Sequence, residues 1–285
     1  MITLDVAGLT LRIRDSGGAG LPVLLTHGIG GSLELWNRQF ETADPTLRLI
    51  AWDLPGHGLS GSGPDDSDLD AMARRGWQLL DALGVGGALL VGNSLGGAVS
   101  LRMAGQAPHR AQGLLLAAAA TLGRDTVLPF RLMTLPGLGT LMSRPGPMAV
   151  QQQIRAIVHR PQAITAEVRE AIIRNVMRPG AADRFLALLR RLTDLGGQRA
   201  AFCQQSQALL RGLRVPVVLV HGAQDSVLPV AHSRQAQAAV AGAQLEVLAD
   251  CGHTPQLEQP AAFQRLLSTL AGRLNPAAAA GESRA

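Results

Sequence analysis

The chain has 285 residues, 47% hydrophobic and 16% charged, enough apolar material for one substantial domain with an insertion and too much for a disordered segment. All 26 basic residues are arginines, set against 21 acids for a formal net charge of +5, yet only 3% of residues are aromatic and no nucleic-acid motif accompanies the charge, so no nucleic-acid partner is expected. Two cysteines, Cys203 and Cys251, make no disulfide framework, no secretory leader pattern opens the chain, and the longest strongly apolar stretch, around 114–122, is too short to span a bilayer; a cytoplasmic setting without membrane insertion is expected.

Strand-like segments are predicted at 2–6 and 9–14. The apolar run Val23-Leu24-Leu25-Thr26 is a third strand, followed by the glycine-rich loop His27-Gly28-Ile29-Gly30-Gly31. Glycines in that pattern also occur in phosphate loops, but no Lys-Ser/Thr follows and the chain has no lysine, so no nucleotide cofactor is implied. Leu49-Ile50-Ala51-Trp52 is a further strand, ending in the turn Asp53-Leu54-Pro55-Gly56-His57-Gly58, where His57 is expected to serve the turn. A helix is predicted over 68–83. The buried strand Ala88-Leu89-Leu90-Val91 then runs into Gly92-Asn93-Ser94-Leu95-Gly96 and a helical pattern over 95–106. After a strand near 113–118, the segment 122–211 is helical, interrupted at Pro129, Pro136-Gly137, Pro145-Gly146-Pro147, Pro161 and Pro179-Gly180. Strand–helix alternation resumes with Val215-Pro216-Val217-Val218-Leu219-Val220, a helix over 230–240, the strand Gln244-Leu245-Glu246-Val247-Leu248 and a helix over 260–274. The pattern predicts a mostly parallel sheet with helices on both faces. The core spans 1–121 and 212–274, the helical cap spans 122–211, and the polar, small-residue tail 275–285 is expected to be disordered.

The pentapeptide centred on Ser94 reads as a nucleophile elbow. Glycine two before and two after the serine permits a sharp strand-to-helix turn, which exposes the hydroxyl and aims the first helical N–H groups at whatever it attacks. A glycine-rich turn in which Ser94 merely caps a helix is the plain alternative. A nucleophilic serine requires a base, and the base requires an orienting acid. Asp225, in the loop His221-Gly222-Ala223-Gln224-Asp225-Ser226, and His253, in Asp250-Cys251-Gly252-His253-Thr254-Pro255, follow late strands in the order that serves this role, with Asp250 as a rival acid. His221 is expected to support the acid loop. His109, His159 and His232 are expected in solvated or capping roles. The backbone N–H groups of Leu95 and Ile29 are the expected oxyanion donors. Trp36, Met133, Leu138 and Met142 are the candidate pocket wall, with plain packing as the alternative for each. No histidine, cysteine or carboxylate cluster has metal-ligand spacing. The segment 124–214 holds 14 arginines against five acids, with 12 arginines against 16 acids elsewhere, a charge that suits a solvated helix surface, a carboxylate-bearing substrate or anionic lipid.

These motifs together, His27-Gly28, the Asp53 to Gly58 turn, Gly92 to Gly97, Gly222 to Asp225 and Gly252-His253, resemble the α/β-hydrolase superfamily over nearly the whole chain. The resemblance implies an eight-stranded, mostly parallel sheet, a helical cap and a Ser94, Asp225, His253 triad. It points to hydrolysis of small to medium hydrophobic carboxylic esters, by a monomer or homodimer needing no cofactor. Asparagine before the nucleophile is similar to the meta-cleavage-product hydrolases, which cut carbon–carbon bonds. That group carries a tryptophan shortly after its catalytic histidine, where this chain has Thr254-Pro255-Gln256-Leu257-Glu258, and its early glycine loop differs. Haloalkane dehalogenases and epoxide hydrolases are similar in fold but use aspartate where Ser94 stands. A lactonase, whose anionic substrate would suit the arginine-rich cap, and a non-catalytic small-ligand receptor on the same fold are the remaining alternatives.

Overall fold

A computed structural model describes residues 1–42, 44–63 and 66–274; the tail expected to be disordered lies outside the described residues. Eight strands form one sheet: β1 (Ile2–Val6), β2 (Leu9–Asp15), β3 (Leu21–Thr26), β4 (Leu47–Trp52), β5 (Ala88–Asn93), β6 (Ala111–Ala117), β7 (Val217–Gly222) and β8 (Gln244–Leu248), in the spatial order β1-β2-β4-β3-β5-β6-β7-β8. The first two strands pair antiparallel with each other and β2 with β4, and every later pairing is parallel. Parallel strands covered on both faces read as continuous apolar runs, which is why 88–91 and 217–220 show no polar alternation.

Alternation survives in which way the side chains point. Leu24, Leu90, Leu114 and Leu219 share one core with the helices Leu69–Ala82 and Leu95–Gln106. Val23, Leu25, Leu89, Val91 and Val218 face the other way, onto Trp36 and the helix Pro260–Leu274. The helix Leu69–Ala82 begins where Asp68 accepts a hydrogen bond from the Ala71 N–H, which satisfies one of the donors a helix start leaves unpaired. No described helix is long and apolar enough to cross a membrane.

The helices between β6 and β7 sit on the C-terminal side of the sheet. Val150, Ile154, Val168 and Ile172 from the helices Pro147–Ile157 and Ala166–Met177, with Val158 just after the first, pack with Leu35 and Leu257 of the core. The helix Ala200–Gly212 packs instead against Leu95–Gln106, where Arg102 donates to the Ser206 hydroxyl at 3.3 Å.

The arginines between β6 and β7 divide between two roles: Arg144, Arg155, Arg169 and Arg211 are exposed, whereas others are bound to carbonyls. Arg178 and Arg184 donate to the carbonyls of Gly58, Ser60 and Gly56, Arg160 to that of Glu258, and Arg190 to those of Thr134 and Leu135. Arg174 reaches Glu34 at 3.1 Å, and Glu34 is also held by Arg12 at 2.7 Å. The guanidinium fork suits this work, because it offers several donors in a fixed plane to acceptors that a folded chain otherwise leaves unpaired.

Candidate active site

Ser94 stands at the junction of β5 and the helix Leu95–Gln106 with φ 55° and ψ −117°, a conformation that few residues with a side chain adopt. The neighbours explain the flanking glycines. A Cβ at Gly92 would collide with the Gly96 carbonyl, and one at Gly96 with the Thr26 carbonyl, so strand, helix and early loop pack backbone to backbone. Ser94 is therefore not a simple cap: its side chain makes no capping bond to the helix. Its carbonyl accepts from Gly97, Ala98 and Ala120, and its N–H donates to Ala117.

Asn93 is buried. Its Nδ2 donates to the Ala117 carbonyl at 3.1 Å and to the His253 carbonyl at 2.9 Å, so the strand end before Ser94 is tied directly to the histidine loop. His253 Nδ1 lies 2.7 Å from Asp225 Oδ2. Both side chains are buried, Asp225 completely. Burial opposes the charge on Asp225, but His253 and His221 outweigh it and hold the carboxyl well below the usual carboxylate range. The rival Asp250 is on the exposed turn after β8, in a left-handed conformation with φ 50°. The two loops are stapled as well: Gln224 N–H donates to the Cys251 carbonyl, the Cys251 N–H donates to Gln224 Oε1, and a Cβ at Gly222 would strike the Gly252 carbonyl.

The early loop is anchored by a histidine whose partners fix its tautomer. His27 Nδ1 donates to the Gly28 carbonyl at 2.7 Å, while Nε2 accepts from the Leu54 N–H at 3.0 Å. That pairing requires a neutral ring, and complete burial pushes the His27 pKa down to about 4. Further along, Asp53 Oδ1 accepts from the Leu33 N–H at 2.7 Å, and Arg12 bridges Asp53 and Glu34. Burial disfavours the Glu34 charge, yet hydrogen bonds from Arg12, Arg174 and Ser32 bring its pKa down to about 2. His57 serves its turn through Nδ1 and the Pro55 carbonyl at 2.9 Å, its ring tilted over His27.

Ser94, Leu95 and Ile29 share one cavity of about 40 Å³, roofed by Phe130, Leu189 and Leu192 and closed at the side by Val227. The Leu95 N–H is the first of its helix, a position with no intrahelical acceptor. No charged side chain lines this cavity among the described residues.

Four expectations for the wall are corrected. Trp36 is fully buried on the opposite side of the sheet, its ring centroid 5.8 Å from that of Phe263. Met133, Leu138 and Met142 do not line the cavity; Phe130, one helical turn before Met133, does so from the helix Leu128–Met133, and Leu189 and Leu192 do so from Ala181–Leu192. Hydropathy at helical spacing marks an apolar face but not what that face meets. His232 is also corrected. It is buried rather than solvated, 3.9 Å from Asp125. Cys251 is fully buried, and burial pushes its thiol up to about 12.

Glu258 is a residue that sequence reasoning missed. Its Oε1 accepts from the Gly252 N–H at 2.6 Å and its Oε2 from the N–H groups of His159 and Arg160 at 2.8 and 2.9 Å, so one buried carboxylate clamps the cap to the loop carrying His253. No local pattern marks it, because Thr254-Pro255-Gln256-Leu257-Glu258-Gln259 is mostly polar, as an exposed turn would be.

With this geometry in place, comparison with known proteins gives the class. A family model described as the alpha/beta hydrolase fold matches residues 22–260, and the chain belongs to that family. An uncharacterized protein of Mycobacterium tuberculosis is 31% identical over 294 residues, covering 96% of this chain and 84% of that protein. The 2-hydroxymuconate semialdehyde hydrolase of Pseudomonas sp. strain CF600 is 28% identical, covering 95% of this chain and 94% of the enzyme. Among solved structures, a thermophilic esterase from Thermogutta terrifontis superposes with a TM-score of 0.74 at 26% identity, over 95% of this chain and 97% of the esterase.

Proposed function

We propose that this protein is a serine hydrolase that cleaves small, uncharged carboxylic esters through an acyl-enzyme. Ser94 is the nucleophile. His253, its Nδ1 committed to Asp225, keeps Nε2 for the proton that leaves Ser94 and returns it to the departing alcohol. The N–H groups of Leu95 and Ile29 receive the oxyanion of the tetrahedral intermediate. Water then repeats the attack on the acyl-enzyme, with His253 again taking the proton. The observation that carries this reading is the Asn93 bond to the His253 carbonyl at 2.9 Å, combined with the 2.7 Å bond from His253 to Asp225: the base and its acid are tied to the residue preceding the nucleophile.

Carbon–carbon hydrolysis is the second reading. The similarity to the 2-hydroxymuconate semialdehyde hydrolase favours it. Such a substrate is a carboxylate, and its binding would call for a cation in the pocket, whereas the wall beside Ser94 is uncharged and cap arginines such as Arg174, Arg178 and Arg190 are bound to core carbonyls, a core carboxylate or the cap's own carbonyls. The same argument favours neutral esters or lactones over anionic lactones. The test is hydrolysis of p-nitrophenyl esters from acetate to decanoate by the parent and by Ser94→Ala. Loss of at least a thousandfold in kcat is expected for the variant, in line with removal of a nucleophile. An active parent whose Ser94→Ala variant keeps most of its rate would refute the assignment of Ser94. A parent inactive on every ester but active on a dienoic ketone would replace ester cleavage by carbon–carbon cleavage, and tight ligand binding without turnover would make the protein a receptor.

A further inference from the structure

The Asp225 carboxylate is shared between two histidines. Its Oδ1 accepts from the backbone N–H groups of Val227 and Leu228 at 2.7 and 3.0 Å. Its Oδ2 stands 2.7 Å from His253 Nδ1 and 3.0 Å from Nε2 of His221, the penultimate residue of β7. The His221 and Asp225 side chains are both inaccessible to solvent.

The partners of His221 decide where its proton lies. Nε2 is also 3.0 Å from the carbonyl oxygen of Leu228, and a carbonyl only accepts, so Nε2 must carry hydrogen and its N–H is shared between that carbonyl and the carboxylate. On the other side of the ring, Nδ1 lies 2.8 Å from the Ser233 hydroxyl on the helix Val230–Ala239, which fixes the ring plane. The titratable groups facing this ring are Asp225 and, beyond it, His253 from the two loops, with His232 on the same helix as Ser233.

Resting on the serine-hydrolase reading above, we infer that His221 is a positioning residue acting through Asp225: its N–H fixes Oδ2 in direction and takes up part of its negative charge, so that His253 is oriented by a carboxylate it does not have to itself. A buried carboxylate facing one imidazole alone would hold that imidazole in its cationic form, in which it is no base. A second donor on the same oxygen weakens that hold while leaving the geometry intact. Binding the Leu228 carbonyl alone would not require His221 to stand against a carboxylate.

The test compares His221→Leu, which removes the donor, with His221→Gln, whose Nε2 carries two hydrogens and can reach both oxygens. Kinetics with p-nitrophenyl acetate between pH 5 and 9 are read beside labelling of Ser94 by a fluorophosphonate. For His221→Leu, kcat falls about tenfold with KM little changed, as for loss of one bond to a charged group. The acid limb of kcat/KM moves up by about half a pH unit or more, because His253 then faces the undivided charge. His221→Gln restores most of the rate and the limb. A folded His221→Leu variant with the parent's kcat and acid limb overturns the inference, as does a Gln variant equally slow as Leu with neither limb moved, which is the signature of packing alone.

Should the Leu variant not fold, 15N-histidine NMR of the parent decides. The inference requires a His221 hydrogen on Nε2 at neutral pH whose resonance moves in Asp225→Asn; a ring protonated only at Nδ1, or an Nε2 resonance unmoved in Asp225→Asn, overturns it. The two levels fail separately. A parent that hydrolyses no ester and takes no label at Ser94 sinks the serine-hydrolase reading, whereas a labelled, active parent with an indifferent His221→Leu variant sinks only the role of His221.

Discussion

Asn93 illustrates how one side chain joins a fold to its chemistry. It lies in a strand whose neighbours are all buried, yet it is polar, and both hydrogens of its amide are used by carbonyls on different segments. Removing it takes the side-chain donor from the buried His253 carbonyl, while the Ala117 carbonyl keeps the Ser94 N–H, a loss of about 1–3 kcal/mol. It also frees the histidine loop from the strand end that carries Ser94. Asn93→Ala is expected to lower kcat by tenfold or more with a smaller change in KM, measured on p-nitrophenyl acetate, and to lower the urea midpoint of unfolding. A residue that suggests carbon–carbon chemistry from its place before the nucleophile thus has a sufficient structural reason here. At the same scale, the pairing of Asp225 with His253 was legible in the sequence because each lies on a loop shortly after a late strand, and strand ends of one parallel sheet converge. His221 was legible only as a helper to the acid loop, since spacing does not show that a ring nitrogen reaches a carboxylate four residues on.

Among the elements, the helices Leu95–Gln106, Val230–Ala239 and Pro260–Leu274 and the strand Gln244–Leu248 lie where periodicity and glycine breaks predict them, to within a residue. The cap resisted the same reading. Its helices are held by carbonyl bonds from arginines and by Glu258, contacts between segments about 100 residues apart that no local pattern encodes. Glu258→Gln keeps one acceptor and loses a charge, so the cap should loosen: an unfolding free energy lower by about 1–3 kcal/mol in urea titration and faster proteolysis within 147–160 are expected. The roof residues define a second prediction. Phe130 and Leu189 line a narrow cavity of about 40 Å³ beside Ser94. The parent should therefore prefer acetyl and butyryl esters, and Phe130→Ala should shift the optimum to longer acyl chains, read as the ratio of kcat/KM for octanoate over acetate. An unchanged ratio would remove Phe130 from the acyl pocket.

For the whole molecule, buried titratable groups set an acid limit. The folded state keeps His27 neutral down to about pH 4, while an unfolded chain protonates it near 6.5. Below pH 6.5 the unfolded chain therefore binds a proton that the folded chain refuses, so this contribution is full above 6.5 and is lost as pH falls toward 4, on the order of 3 kcal/mol in all. Glu34 acts in a lower window. Its pKa is depressed from 4.5 to about 2, so its stabilisation is present above 4.5 and is lost as pH falls toward 2. The melting temperature should hold steady above pH 7 and decline in two stages below it, with Glu34→Gln flattening the lower stage. Both groups brace the early loop that carries Ile29, so acid should remove activity before it unfolds the sheet. The most direct measurement is intact-mass and peptide mapping after treatment with a fluorophosphonate at pH 7.5. The account predicts one added phosphonyl group on the peptide containing Ser94, abolished in Ser94→Ala and slowed at least a hundredfold in His253→Ala. A protein that takes no label, or takes it on another residue, would contradict the assignment of Ser94 as an activated nucleophile.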